Sequence, residues 1–154
     1  MRIAAVAGPR TGPFSDPGHP GMLLREILSP IATEIEVARD YARDVCRRYG
    51  IGTVSDAAAT VATEFVTNAV MHARTLMELS FTLEPPYLYV AVRDADPRPP
   101  VPVCAEDRGF GLSLVEGFAS RWGSYPAPDG KIVWAALWLP HRGGPPVAPP
   151  APPA

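Results

Sequence analysis

Between residues 31 and 49 apolar side chains return at near-helical spacing, at Ile31, Ile35, Val37/Ala38, Ala42, Val45/Cys46 and Tyr49. Charged residues from Glu34 to Arg48 fill the positions between them. This pattern predicts an amphipathic surface helix. Ser29-Pro30 suits its start, and Gly50 and Gly52 suit its end. A second, more apolar helix is predicted over residues 56–73, with Ser55 and Asp56 placed to cap its first free N–H groups. At ~100° per residue, Ala59, Ala62, Val66, Ala69, Val70 and Ala73 fall on one side of it. Thr60, Glu64, Thr67 and Asn68 fall on the other, and His72 follows Asn68 one turn on. A carboxylate, a carboxamide and an imidazole therefore climb one edge of an otherwise apolar helix.

Period-two alternation over residues 77–83 predicts a strand with one buried face. Pro85-Pro86 turns the chain into a second strand over residues 87–94, and so short a connection favours an antiparallel hairpin. From Gly109 to about Arg121, Leu112, Val115, Phe118 and Ala119 recur at helical spacing. A short strand over 122–125, a turn over 126–130 and a long apolar strand over 131–139 follow, the last expected to lie inside the sheet. Met22-Leu23-Leu24-Arg25-Glu26-Ile27-Leu28 suits either a strand or a helical turn. Hairpins dominate over βαβ crossovers. The predicted fold class is α+β: a two-layer sandwich, a mostly antiparallel mixed sheet with helices packed on one face.

At 154 residues and 47% hydrophobic content the chain is expected to form one domain with a real core. That domain spans residues 21–140, between a flexible leader (1–20) and a disordered Pro-rich tail (141–154). The net charge is −2 and the basic residues are scattered, which gives no electrostatic footprint for nucleic acid. No apolar run reaches the ~18–20 residues needed to span a bilayer, and the N-terminus has too short an apolar region for a signal peptide. No membrane association and a cytoplasmic location are the expectations. Cys46 and Cys104 form no zinc-type cluster and read as free thiols. Gly130-Lys131 is no P-loop, because the glycine spacing is absent and a strand follows where that motif opens a helix.

Three short patterns carry candidate chemistry: Glu64-x-x-x-Asn68 with His72 after it, Asp94-Ala95-Asp96 at a strand end, and Gly109-Phe110-Gly111-Leu112 opening a helix. Each alone has a bland reading: a solvated helix face, a turn former, a tight turn. Their order and separation together resemble the ATP-binding domain of the GHKL group, which includes histidine kinases, gyrase-type topoisomerases and related chaperones. The resemblance covers roughly residues 22–140 and extends to Gly130-Lys131-Ile132-Val133-Trp134. Within that group the chain is similar to the anti-sigma-factor serine/threonine kinases and single-domain regulators of actinomycetes.

The resemblance implies a Bergerat-type ATP-binding fold with ATP and Mg²⁺ as cofactors. Asn68 would coordinate Mg²⁺ and Glu64 would be the catalytic base. Asp94 would accept from the adenine amino group. Gly109, Gly111 and Leu112 would close over the phosphates, and His72 matches the pattern without a defined role. It further implies an anti-sigma-factor antagonist or a sigma factor as partner, and allows a homodimer. Two departures stand out. Where the pattern continues from its Asp with glycines, this chain has Ala95, Asp96, Pro97 and Arg98. Where it places a Thr after a Gly, the matching residue is taken as Ile132. The expected function is a serine/threonine protein kinase acting on an antagonist protein. The alternative is a catalytically weak or inactive regulator that works by protein contact alone.

Overall fold

The computed structural model describes residues 4–5, 22–98 and 111–140. The expected leader and tail, Cys104 and Gly109 lie largely or wholly outside them. The strands are β1 (Ala4–Ala5), β2 (Met22–Leu28), β3 (Met77–Glu84), β4 (Tyr87–Asp94), β5 (Arg121–Ala127) and β6 (Gly130–Trp138). The helices are α1 (Thr33–Arg48), α2 (Ser55–Asn68) and α3 (Gly111–Phe118). The sheet runs β1-β2-β3-β4-β6-β5, and every pairing in it is antiparallel. The α+β expectation holds, although no parallel pair occurs among the described residues.

Alternation along the strands builds the core. Leu24 and Leu28, Met77, Leu79 and Phe81, Leu88, Val90 and Val92, and Val133, Ala135 and Leu137 are all buried. The register sets them side by side, with Leu24 opposite Phe81, Phe81 opposite Val90, and Val90 opposite Ala135. Against this face lie Tyr41, whose ring meets Phe81 edge-on at 5.5 Å, and the buried side of α2. On the other face Tyr87, Tyr89, Trp134 and Trp138 form a string of ring contacts at 5.7–6.4 Å. The Arg121 guanidinium stands 5.1 Å from the centre of the Tyr87 ring. Apolar residues on both faces explain why β6 shows no alternation. It lies inside the sheet, between β4 and β5. Met22–Leu28 is a strand, because pairing with β3 outweighs the weak local preference of its leucines.

The helix ends depart from the simple reading of their caps. After Arg48 the chain closes with Gly50 at φ +67, Gly50 N–H donating to Arg47 O and Ile51 N–H donating to Cys46 O at 2.9 Å. This is a Schellman stop that needs a glycine. A 3-10 turn, Gly52–Val54, then leads directly into α2, and the Ser55 N–H donates to the Gly52 carbonyl. Ser55 and Asp56 therefore make no side-chain cap, and Asp56 instead faces Arg43 at 3.5 Å. The buried side of α2 is broader than the angular reading suggested. It includes Ala58, Val61 and Phe65, because α2 packs on α1 and α3 as well as on the sheet. Phe118, one of the apolar residues whose spacing predicted α3, is 47% exposed. Cys46 is a free, buried thiol whose pKa burial pushes up to about 11.

Phe81 sits at the centre of these layers and is fully buried. Phe81→Ala is expected to cost ~3–5 kcal/mol through the lost contacts and the cavity left behind. Chemical denaturation with unchanged m-value would read this as a lowered midpoint.

Candidate functional site

Helix α2 does not stop at Asn68. It widens into a π-helical turn over Ala69–Ala73, in which the Arg74 N–H donates to the Ala69 carbonyl at 2.9 Å. Arg74 ends the turn in the left-handed conformation at φ 56, an uncommon place for a residue with a Cβ. Such turns are frequent at functional sites. Here the turn carries Met71 and His72 to the rim of a cavity of about 560 Å³. Its wall includes Asn68, His72 and Arg74 from the helix end, Asp94, Asp96 and Arg98 from β4 and the following loop, and Lys131 from β6.

The expected site residues are distributed as follows. Asn68 and Asp94 face the same cavity, and His72 lines its rim while remaining largely exposed. Glu64 lies one turn back on α2, half-buried and not part of the cavity wall. Burial alone raises its carboxyl pKa above the ordinary value. Gly111 and Leu112 open α3. Gly109 is outside the described residues.

Sequence reading missed the polar cluster at the floor. Asp94 is almost wholly buried and pairs with Lys131, whose Nζ lies 3.0 Å from Oδ2 and 3.1 Å from Oδ1. The same ammonium donates to the Asp96 carbonyl at 3.1 Å. The Asp96 N–H returns a bond to Asp94 Oδ1 at 2.9 Å. The Asp96 carboxylate is gripped by Arg98 through its backbone N–H, Nε and Nη2, the last at 2.6 Å, and Arg98 Nη2 also reaches the His72 carbonyl at 3.4 Å. Carboxylate-clamped turns thus stand where the family pattern has glycines. The Asp94 and Lys131 charges satisfy each other in a setting that would otherwise penalise both.

The register also corrects the residue compared with the pattern's Thr. Asp94 pairs with Lys131 across β4 and β6, whereas Ile132 pairs with Arg93. Adjacent strand residues point to opposite faces, so the side chain beside Asp94 is that of Lys131. Gly130 makes this approach possible, since a Cβ there would lie 1.8 Å from the Asp94 carbonyl oxygen. Lys131 had two signals in the sequence: it is the one lysine of the chain, and it follows a glycine at a hairpin. Neither reveals which residue of β4 it meets.

The sequence pattern of the histidine kinase-like ATPase domain family matches residues 28–137. That is most of the chain, so the chain belongs to this family, and the antiparallel sheet with helices on one face is the GHKL-type ATP-binding fold. ATP is the ligand class this membership implies. No curated protein matches the chain. No helix among the described residues is long and apolar enough to cross a membrane.

Two tests follow from the cluster. Gly130→Ala should destabilise the fold by ~1–3 kcal/mol, as the backbone of β6 is forced away from Asp94, and thermal melting would register the drop. Arg98 holds the Asp96 carboxyl below its ordinary value, chiefly by side-chain hydrogen bonds and then by its N–H. A depressed carboxyl contributes stability above its unfolded pKa of ~3.9, lost as pH falls toward the folded value. Melting temperature should therefore fall below about pH 4 more steeply in the wild type than in Asp96→Asn.

Proposed function

We propose that this chain is an ATP-binding serine/threonine protein kinase of the anti-sigma-factor type, phosphorylating an antagonist protein and regulating transcription through partner binding. The observation that carries the reading is the meeting of Asn68 and Asp94 in one cavity of about 560 Å³, within the ~300–1,000 Å³ typical of small-molecule sites. Asp94 Oδ2 is the acceptor for the base. Mg²⁺ takes few protein ligands when phosphates and water supply the rest, and the Asn68 amide oxygen would be the protein's share. Bound Mg²⁺-nucleotide would supply the transferable phosphoryl group and screen its charge.

Glu64 is the general base in this reading. Its raised pKa strengthens it as a proton acceptor. The partner's seryl or threonyl oxygen bonds to the γ-phosphorus, the bond to the β-phosphate bridge breaks, and the hydroxyl proton passes to Glu64. The implied partners are an antagonist protein bearing that hydroxyl, a sigma factor, or both, and the resemblance allows a homodimer.

A second reading is favoured by one observation: the Lys131 ammonium already occupies Asp94. A regulator acting by contact alone would need no nucleotide. Calorimetric titration with ATP, with and without Mg²⁺, separates the two. The kinase reading expects Mg²⁺-dependent binding that Asn68→Ala weakens roughly 10-fold or more. It also expects transfer to the partner that Glu64→Ala slows by about 10²–10⁴. Binding that is absent, or insensitive to Mg²⁺ and Asn68, favours the contact regulator.

A further inference from the structure

Tyr87, Tyr89, Trp134 and Trp138 lie on the face of the sheet turned away from the helices, and none of them belongs to the core that the helices share. Their ring contacts run in one line along β4 and β6, from the Tyr87–Trp138 pair through Tyr89 to Trp134. From Trp138 to Trp134 this strip is ~13 Å long, at ~3.4 Å per residue. At its first end the Tyr87 hydroxyl is buried and has no hydrogen-bond partner, a state that costs free energy until an acceptor is supplied. Strand β6 ends at Trp138, so the chain leaves the sheet beside this same end of the strip. A soluble domain rarely leaves so large an apolar patch uncovered.

We propose that residues 145–154 of this chain fold back over the strip as a polyproline II segment. Gly143-Gly144 is a reversal signal, and the residues from 139 to 144 can reach ~20 Å when extended. Pro145–Ala154 then holds six prolines in ten residues, a composition that favours polyproline II. At three residues per turn Pro146, Pro149 and Pro152 share one ridge, which spans ~19 Å at ~3.1 Å per residue and is long enough to cover the strip. Prolyl ridges dock on aromatic surfaces with a small ordering cost, because the backbone is already set in the bound form. Polyproline II also makes no internal hydrogen bonds, so one of its carbonyls can accept from the Tyr87 hydroxyl. The strip lies across the sheet from Asp94, since the two sets of side chains alternate along β4. Its occupancy is therefore independent of the nucleotide reading.

The test is nuclear magnetic resonance of the full chain, reading the indole N–H signals of its three tryptophans. Trp122 packs against the helix-side core and serves as the internal reference. The expected result is nuclear Overhauser contacts from proline ring protons to the Trp134 and Trp138 rings. In a variant carrying Pro146→Gly, Pro149→Gly and Pro152→Gly, these contacts should be lost. The Trp134 and Trp138 indole signals should move while that of Trp122 stays. The three substitutions touch no residue of the sheet or helices. Absence of the proline contacts, with the same Trp134 and Trp138 signals in both forms, would overturn the proposal. So would contacts that vanish on dilution, which would put the tail of a second copy on the strip. A Trp122 shift as large as the other two would overturn it as well, because it would report a general change in the fold.

Discussion

The antiparallel register of β4 against β6 is the constraint on which the cavity depends. It sets Asp94 opposite Lys131 at the last pair of the ladder and brings Gly130 against the Asp94 carbonyl. A slip by one residue would turn Lys131 outward and put Ile132 beside the carboxylate. The register is held along its length by pairs buried on the helix side, from Leu88 with Leu137 to Val92 with Val133. It is held on the other side by Tyr87 against Trp138. Two kinds of packing thus fix one polar contact at the end of the strands, where a buried charge can be tolerated because its partner arrives at a determined place.

The opposite wall has a different origin. Helix α2 is anchored by Ala62, Phe65, Val66 and Ala69, which leaves Glu64 and Asn68 half-buried on its polar edge. The π-helical turn then changes the helical period near the cavity, so His72 no longer stands where a regular helix would put it. Arg98 ties this end of the helix to the loop after β4 through the His72 carbonyl and Asp96. The two walls are joined by hydrogen bonds as well as by apolar packing, and the most tightly bonded part is the floor at Asp94, Asp96 and Lys131.

Much of the fold was legible in the chain. Alternation located β3, the Pro85-Pro86 turn set β4 after it, helical spacing located α1, α2 and α3, and the glycine at position 50 marked a stop that the Schellman bonds bear out. The fold class followed from hairpin-length connections, and the family from an ordered set of short motifs. The misses have specific causes. Caps at Ser55 and Asp56 were displaced by a 3-10 turn whose carbonyls do the same work. The helical spacing that includes Phe118 did not reveal its exposure, because periodicity does not say how far a layer extends over a short helix. The comparison at Ile132 failed because face assignment depends on a register that spacing alone leaves open.

The sequence by itself determined the elements, the layer architecture and the residue types that could take part in nucleotide chemistry, since these depend on local period, turn stereochemistry and order along the chain. Only the tertiary structure decided which of those residues share a cavity. It joined Asn68 to Asp94 across two elements, left Glu64 off the wall, and brought in Lys131, Asp96 and Arg98. The reason is physical: a buried charge chooses its partner by distance in space, through strand register and helix packing, and those relations are set by contacts between residues far apart in the chain.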